Sequence, residues 1–191
     1  MAPIKDYMSY ISRRGALALE DERGEKILGW EALLDLVQEW RYARSAIPSR
    51  SYRREALNII LSMPAGTDAQ ALFDAAREFA QTTFAPHKFA MVLHEPQTDA
   101  RSHQPHVHLI VRRQAQDGTR LRPSNADLAR WRQQFADELR EQGIAASATR
   151  RHMRGELQPG MRLPEDFGSR IAHESGGISP KSAPPLWSLT Y

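Results

Sequence analysis

Residues 88–111 read KFAMVLHEPQTDARSHQPHVHLIV, and this stretch decides the fold. Its two apolar runs, 88–93 and 107–111, have the length and residue types of β-strands. Because no helical pattern separates them, we expect an antiparallel hairpin and not two parallel strands joined by a crossover helix. The fold class predicted from this hairpin is α+β and not a doubly wound α/β fold.

Further helices and strands are predicted on both sides of this hairpin. Apolar residues recur at helical spacing in three segments, 30–40, 72–80 and 128–139. Additional strands are predicted at 16–20, 57–63 and 119–122. The helix at 72–80 follows Thr67, which forms a capping-box pattern with Gln70, and Ser124 is the expected N-cap of the last helix. We expect these helices to pack on one face of the sheet.

Composition limits the classes of function. The 191 residues include no cysteine, which excludes disulfides, thiol catalysis and cysteine-ligated metals. No apolar run is long enough to cross a bilayer, and the first 25 residues lack the apolar core of an export signal. We therefore expect a cytoplasmic protein. The 26 basic residues comprise 22 arginines and only four lysines; this ratio fits phosphate and base recognition, although a GC-rich genome also raises it.

The basic residues are unevenly distributed. Residues 101–132 carry seven arginines against two aspartates, a local charge of +5. A basic cluster of this kind is typical of a solvated loop, and it also makes Arg101, Arg112, Arg113, Arg120 and Arg122 candidates for contacts with a nucleic acid. Residues 1–157 are predicted to form one domain, and 158–191, with five prolines and four glycines, a C-terminal extension that could link to a downstream region.

Four of the seven histidines lie within fifteen residues. Residues two apart on a strand share a face, with Cα atoms roughly 6.5 Å apart, so His106 and His108 can converge on one ion. His94, at the end of the partner strand, is placed to supply a third nitrogen. Three neutral imidazoles leave coordination positions open, as a catalytic metal requires. The alternatives are a structural metal site or histidines that only line a polar face.

A nucleophile is suggested by residues 7–15, which bring two tyrosines close to two arginines. There is no cysteine, and no serine lies in a nucleophile-elbow pattern. A tyrosine near arginine can attack a phosphodiester when a metal neutralises the developing charge. By chemistry alone, Tyr7 and Tyr10 are both candidates, with Arg13 and Arg14 as neighbouring cations.

Three segments, in order, carry a resemblance to a known family: YISRRGAL at 10–17, ILSMPAGT at 60–67 and PHVH at 105–108. They resemble the relaxases of conjugative and mobilisable plasmids, which belong to the HUH (His-hydrophobe-His) nucleases. Within these, the chain is similar to the P-type mobilisation branch that includes the T-DNA border endonuclease. The resemblance spans residues 5–155.

The resemblance implies a central five-stranded antiparallel sheet with flanking helices and a metal lying on the sheet. It makes Tyr10 the nucleophile that becomes joined to the DNA 5′ end, His106 and His108 the metal pair, and His94 the third ligand. The implied cofactor is Mg²⁺ or Mn²⁺, although three imidazoles would also accept Zn²⁺ or Ni²⁺ in vitro. The implied reaction nicks one strand at a transfer origin, leaves a free 3′ hydroxyl and is reversible. The implied partners are single-stranded DNA at the transfer origin, relaxosome accessory proteins and a coupling protein.

This sequence departs from the family pattern around the first histidine. Ten residues separate His94 from Pro105, more than is usual, so His103 becomes a rival third ligand. The customary aspartate two residues after the first histidine is replaced by Pro96, and Glu95 or Asp99 is a candidate substitute. A further departure is Arg112, which stands where an asparagine often follows the metal strand.

Two other functions remain open from the sequence. A catalytically silent module on the same scaffold would bind single-stranded DNA in a salt-sensitive way that EDTA does not change. A metal-dependent hydrolase of small phosphoesters would bind metal but show no DNA affinity at moderate salt.

Overall fold

A computed structural model describes residues 4–43, 46–47, 54–100 and 102–146. In these ranges the elements are α1 (Ile4–Ile11), β1 (Leu19–Asp21), β2 (Lys26–Ile27), α2 (Trp30–Tyr42), β3 (Ala56–Ser62), α3 (Ala69–Phe84), β4 (Phe89–His94), β5 (His106–Arg112) and α4 (Asn125–Glu141). The five strands form one sheet in the order β2-β1-β4-β5-β3, and every neighbouring pair is antiparallel. The α+β class and the five-stranded antiparallel sheet are confirmed.

The predicted hairpin lies at the centre of this sheet. Strands β4 and β5 pair from Phe89 opposite Val111 to His94 opposite His106. On its other side β5 pairs with the edge strand β3, so that Ser62 also lies opposite His106. A strand with neighbours on both edges and side chains buried on both faces needs an apolar run, which explains the sequence of β5.

The helices pack on both faces of the sheet, so the prediction of a single covered face was wrong. Leu109 of β5 packs in one core with Phe135 of α4 and the apolar residues of α3. The next residue, Ile110, belongs to the opposite core, which contains Trp40 of α2 and the buried residues of α1. Side chains alternate across a strand: Val107, Leu109 and Val111 of β5 belong to the first core, and Ile110 belongs to the second. Each face therefore needs its own helical layer.

Two elements differ from the sequence expectation. The strand predicted at 119–122 is replaced by a single bridge between Gln114 and Arg120. The fifth strand is instead β2, whose two residues are too few to produce a visible alternation. Helix α1 was not predicted either, because its eight residues bury only Met8 and Ile11. Short elements of this kind depend on tertiary packing more than on local pattern.

The N-cap of α3 and the start of β1 differ from the prediction, whereas the N-cap of α4 agrees with it. The side chain of Asp68, and not that of Thr67, caps α3 by accepting from the N–H groups of Gln70 and Ala71. Ser124 caps α4 as predicted and forms a reciprocal capping box with Asp127. Strand β1 begins three residues later than expected. Among the described helices, none is long and apolar enough to cross a membrane.

Candidate active site

The three predicted metal ligands meet at one end of the central hairpin. His106 and His108 alternate with Val107 on β5, so their side chains lie on the face covered by α1 and α2. His94 ends β4 directly opposite His106 in the antiparallel register. Strand alternation therefore places His106 and His108 on one face, and the pairing of β4 with β5 brings His94 next to them.

The imidazoles form a nearly equilateral group. The ring centroids of His94 and His106 are 5.0 Å apart, those of His94 and His108 4.7 Å, and those of His106 and His108 5.0 Å. One nitrogen from each ring lies within 4.8 Å of the other two. Metal–nitrogen bonds of about 2.1 Å place two donors roughly 3 to 3.5 Å apart, so a small inward movement of the rings suffices. These residues fit a divalent metal ion bound by three nitrogens.

Polar contacts around the cluster orient two of its rings. The Nδ1 of His106 lies 3.0 Å from the carbonyl oxygen of Gln104, and the Nε2 of His94 lies 2.6 Å from that of Ile11. A carbonyl only accepts, so these nitrogens are assigned as the N–H donors. The second nitrogen, Nε2 in His106 and Nδ1 in His94, then carries the lone pair that a metal needs. The Nδ1 of His94 also lies 3.4 Å from the Nη2 of Arg13.

Burial favours the uncharged form of two of the three histidines, His94 and His108. Desolvation, reinforced by the neighbouring histidines, lowers the pKa of His108 to about 3. Burial also lowers the pKa of His94, although the hydrogen bond to Ile11 opposes the shift. Histidine must be neutral to bind a metal, so both side chains are ready to bind one at neutral pH.

The two candidate tyrosines lie one turn apart on α1. Tyr7 is partly buried, and its hydroxyl lies 3.4 Å from the Nδ1 of His108. Burial raises the pKa of Tyr7, so its phenol stays protonated. Tyr10, at the end of the helix, is 56% exposed and therefore open to a large substrate. The structure brings Tyr7 against His108, whereas Tyr10, three residues further along α1, faces solvent.

Helix α1 ends in an unusual turn. Arg13 and Arg14 both have positive φ, 52° and 61°, a region that non-glycine residues rarely occupy. The following residue, Gly15, has no room for a side chain, because a Cβ there would lie 2.5 Å from the carbonyl carbon of Gly29. The turn directs the Arg13 guanidinium back over the ring of Tyr10, at 5.3 Å from its centroid.

Of the two acidic candidates, Asp99 reaches the cluster. Its Oδ2 lies 3.2 Å from the Nδ1 of His94 and 2.7 Å from the Nη2 of Arg13. Within the described residues, no hydrogen bond or ion pair links the Glu95 carboxylate to the histidines. Glu95 contributes its carbonyl oxygen, which accepts from the backbone N–H of Asp99 at 2.8 Å and closes the turn. His103 is exposed and lies outside the cluster.

The predicted DNA-binding arginines occupy different environments. Arg112 is only 1% exposed; its guanidinium donates to the Gln114 carbonyl, so it does not present a basic surface to DNA. Arg113 donates to backbone carbonyls, and burial lowers its pKa. Arg120 pairs with a glutamate, whereas Arg122 is exposed. Arg101 lies outside the described residues.

Several groups around the cluster were not predicted. The carbonyl oxygens of Ile11 and Gln104 orient ligands, but any residue type provides a carbonyl. The Ser102 hydroxyl lies 3.3 Å from the Nδ1 of His106 and also donates to Gln104. Gln104 and Ser102 both lie within four residues of His106, but only the Ser102 contact involves a side chain, so residue type could have pointed to Ser102 alone.

Comparison with known proteins agrees with this geometry. The family model described as "Relaxase: MobA/VirD2-like, nuclease domain" matches residues 10–144. The matched region begins at Tyr10 and includes the three histidines, Asp99 and all five strands. Comparison with curated protein sequences gives no match.

Proposed function

The chain belongs to the relaxase family, as a nuclease domain of the MobA/VirD2-like type, and from this membership we propose that it nicks one strand of DNA at a transfer origin through Tyr10. The observation that carries the proposal is the three-histidine cluster beside α1, the helix that bears this tyrosine. A DNA-nicking role is the general property of the family. The covalent intermediate and the residue roles below are the proposal.

The proposed step is a transesterification. The Tyr10 oxygen attacks the scissile phosphorus in line, the bond from phosphorus to the 3′ oxygen breaks, and the 3′ oxygen takes up a proton as it leaves. The tyrosine proton passes to solvent or to a nearby base. One phosphodiester replaces another, so the reverse attack by the 3′ hydroxyl rejoins the strand without ATP.

His94, His106 and His108 would hold the metal. When bound, a divalent ion supplies neutralisation of the negative charge on the scissile phosphate. We propose Mg²⁺ or Mn²⁺, and expect Zn²⁺ or Ni²⁺ to bind in vitro because imidazole suits them. The contacts of the rings with Ile11 and Gln104 support this role, since they leave the Nδ1 of His94 and the Nε2 of His106 unprotonated.

The edge strand β3 offers a route for the DNA to this cluster. Ile60 lies opposite His108 and Ser62 opposite His106, and both β3 residues are partly exposed. Their alternation places them on the same face as the histidines. A single strand crossing β3 would reach the cluster, with Arg14 and Arg122 exposed to contact its phosphates.

The wider setting of the reaction is also proposed. Residues 1–157 would form the nuclease domain, with 158–191 as an extension; these last residues lie outside the described part of the chain. Transfer starts from plasmid DNA, so we propose that the protein acts in the cytoplasm with relaxosome accessory proteins and a coupling protein.

The direct test is covalent capture. The protein is incubated with Mn²⁺ and a pool of randomised single-stranded oligonucleotides labelled at the 3′ end, and adducts are separated in SDS. We expect a labelled adduct in wild type and in Tyr7→Phe, and none in Tyr10→Phe. An adduct that persists in Tyr10→Phe, or its absence from wild type, contradicts the proposal.

A silent DNA-binding module is the second candidate, suggested by the missing aspartate after His94. The Asp99 carboxylate at 3.2 Å from His94 weakens that argument, because an acidic group is present despite the altered spacing. DNA binding that is unchanged by EDTA, together with no adduct, would favour the silent module.

A further inference from the structure

The Arg13 guanidinium joins parts of the site that are far apart in sequence. Its Nε and Nη2 donate to the Oδ2 of Asp99 at 3.2 and 2.7 Å. The same Nη2 lies 3.4 Å from the Nδ1 of His94. Its Nη1 donates to the backbone carbonyl of Tyr10 at 3.2 Å, and the group lies over the tyrosine ring. One side chain thus contacts the proposed nucleophile, a proposed metal ligand and the acidic residue between them.

Asp99 balances this arginine in a position with little solvent. The Asp99 side chain is 7% exposed and that of Arg13 is 21% exposed. Removing one partner of such a pair changes the net charge of a poorly solvated place. This place adjoins His94, where a metal cation is expected to bind, so a change toward positive charge should weaken metal binding and a change toward negative charge should not.

Arg14 contrasts with its neighbour. It has nearly the same backbone conformation, but its side chain is exposed, and no ion pair is recorded between it and the described residues. The Arg13 guanidinium is hydrogen-bonded to Asp99 and Tyr10, whereas the exposed side chain of Arg14 can contact a phosphate. The two arginines that look equivalent in the sequence have different surroundings.

We propose that Arg13 is a positioning residue: it fixes Asp99 beside the Nδ1 of the metal ligand His94 and ties both to the helix that carries Tyr10. Arg14 then has the task of contacting the DNA phosphate. This inference rests on the proposed function for the role of Tyr10, but the part concerning His94 and Asp99 does not depend on DNA cleavage.

The proposal predicts metal-affinity changes that differ between the partners. Asp99→Asn leaves the Arg13 cation unbalanced beside His94, so the dissociation constant for Mn²⁺ should rise about tenfold. Arg13→Gln removes a cation from beside His94 and Asp99, so Mn²⁺ affinity should stay the same or increase. The adduct-formation rate of Arg13→Gln at saturating Mn²⁺ should nevertheless fall about tenfold, because Tyr10 and His94 are no longer held together.

The experiment uses the full chain and measures three quantities for each variant. Mn²⁺ affinity is measured without DNA, from the free Mn²⁺ detected by electron paramagnetic resonance. The rate of adduct formation is measured at saturating Mn²⁺. The free energy of unfolding is measured in urea. The matched control is Arg23→Gln, because Arg23 also pairs through Nε and Nη2 with a buried aspartate, Asp21, on the β1–β2 turn. The control should change neither Mn²⁺ affinity nor the adduct rate.

A charge reversal guards against simple misfolding. Arg13→Asp combined with Asp99→Arg should recover adduct formation relative to either single reversal, and aspartate tolerates the positive φ at position 13. Equal losses of Mn²⁺ affinity in Asp99→Asn and Arg13→Gln would overturn the proposal, as would a normal adduct rate in Arg13→Gln. An adduct that persists in Tyr10→Phe would instead overturn the proposed function, and the Mn²⁺ affinities would still test the role of Asp99.

Discussion

On one face of the sheet, α3 and α4 bury Phe79 and Phe135 against β5, whereas on the other face the apolar layer of α1 and α2 gives way to His108 and His106. The first face consists of a continuous apolar core. The second contains buried polar groups, including His94 and Asp99, and each of them needs a specific partner. The same strand therefore contributes stability with one set of alternating side chains and two histidines of the candidate metal site with the other.

The sharpest way to test this difference is to truncate adjacent residues of β5. His108→Ala should remove a metal ligand and lower adduct formation by at least about 100-fold, because several kcal/mol of charge stabilisation is lost. Leu109→Ala should destabilise the fold by about 2–5 kcal/mol through lost burial and a cavity. Mn²⁺ titration and urea unfolding of both variants measure these effects. Mn²⁺ affinity equal to wild type in His108→Ala would refute the division between the faces.

The turn that follows α1 offers a second test, on the face that carries the site. Gly15→Ala should lower the free energy of unfolding by roughly 3 kcal/mol, since the new Cβ meets the Gly29 backbone at a positive φ of 84°. Gly24→Ala is the matched control, with φ 78° and open space around the added carbon, and should cost about 1 kcal/mol. Urea unfolding of both variants measures the two losses of unfolding free energy. Equal losses would mean that the contact with Gly29 adds nothing to the cost of Gly15→Ala.

The smallest effect is expected on the apolar face. Ser124→Ala removes the hydroxyl that accepts from the Asp127 N–H at the start of α4, and should cost about 1 kcal/mol. Thermal or urea unfolding measures the loss. Mn²⁺ affinity should not change, because α4 lies on the face opposite the histidines; a weaker affinity would indicate that the two faces are coupled.

Much of the fold follows from local pattern. The predicted strands at 57–63, 88–93 and 107–111 coincide with β3, β4 and β5 to within one residue at each end. Long apolar runs and helical stripes are strong signals because many buried positions recur at a regular spacing along the element. Strand β2 and helix α1 were missed for the opposite reason, since each has too few buried positions to create a period.

The site was predictable in part, and for a similar reason. His106 and His108 follow from strand alternation, which is a local rule. The third ligand and the acidic group were ambiguous, because His94 and His103, like Glu95 and Asp99, lie in or beside a loop without periodicity. A loop of this kind takes its shape from distant contacts.

By itself, the sequence determined the central hairpin, the alternating histidine pair, the absence of thiol chemistry and the family resemblance, all of which depend on residue type and short spacing. Only the tertiary structure decided that helices cover both faces, that His94 completes the cluster, and that Asp99 meets Arg13. These outcomes depend on contacts between residues more than eighty positions apart, such as Arg13 with Asp99 and Ile11 with His94. No local pattern records such contacts, because the burial and charge balance that favour them exist only after the sheet has formed.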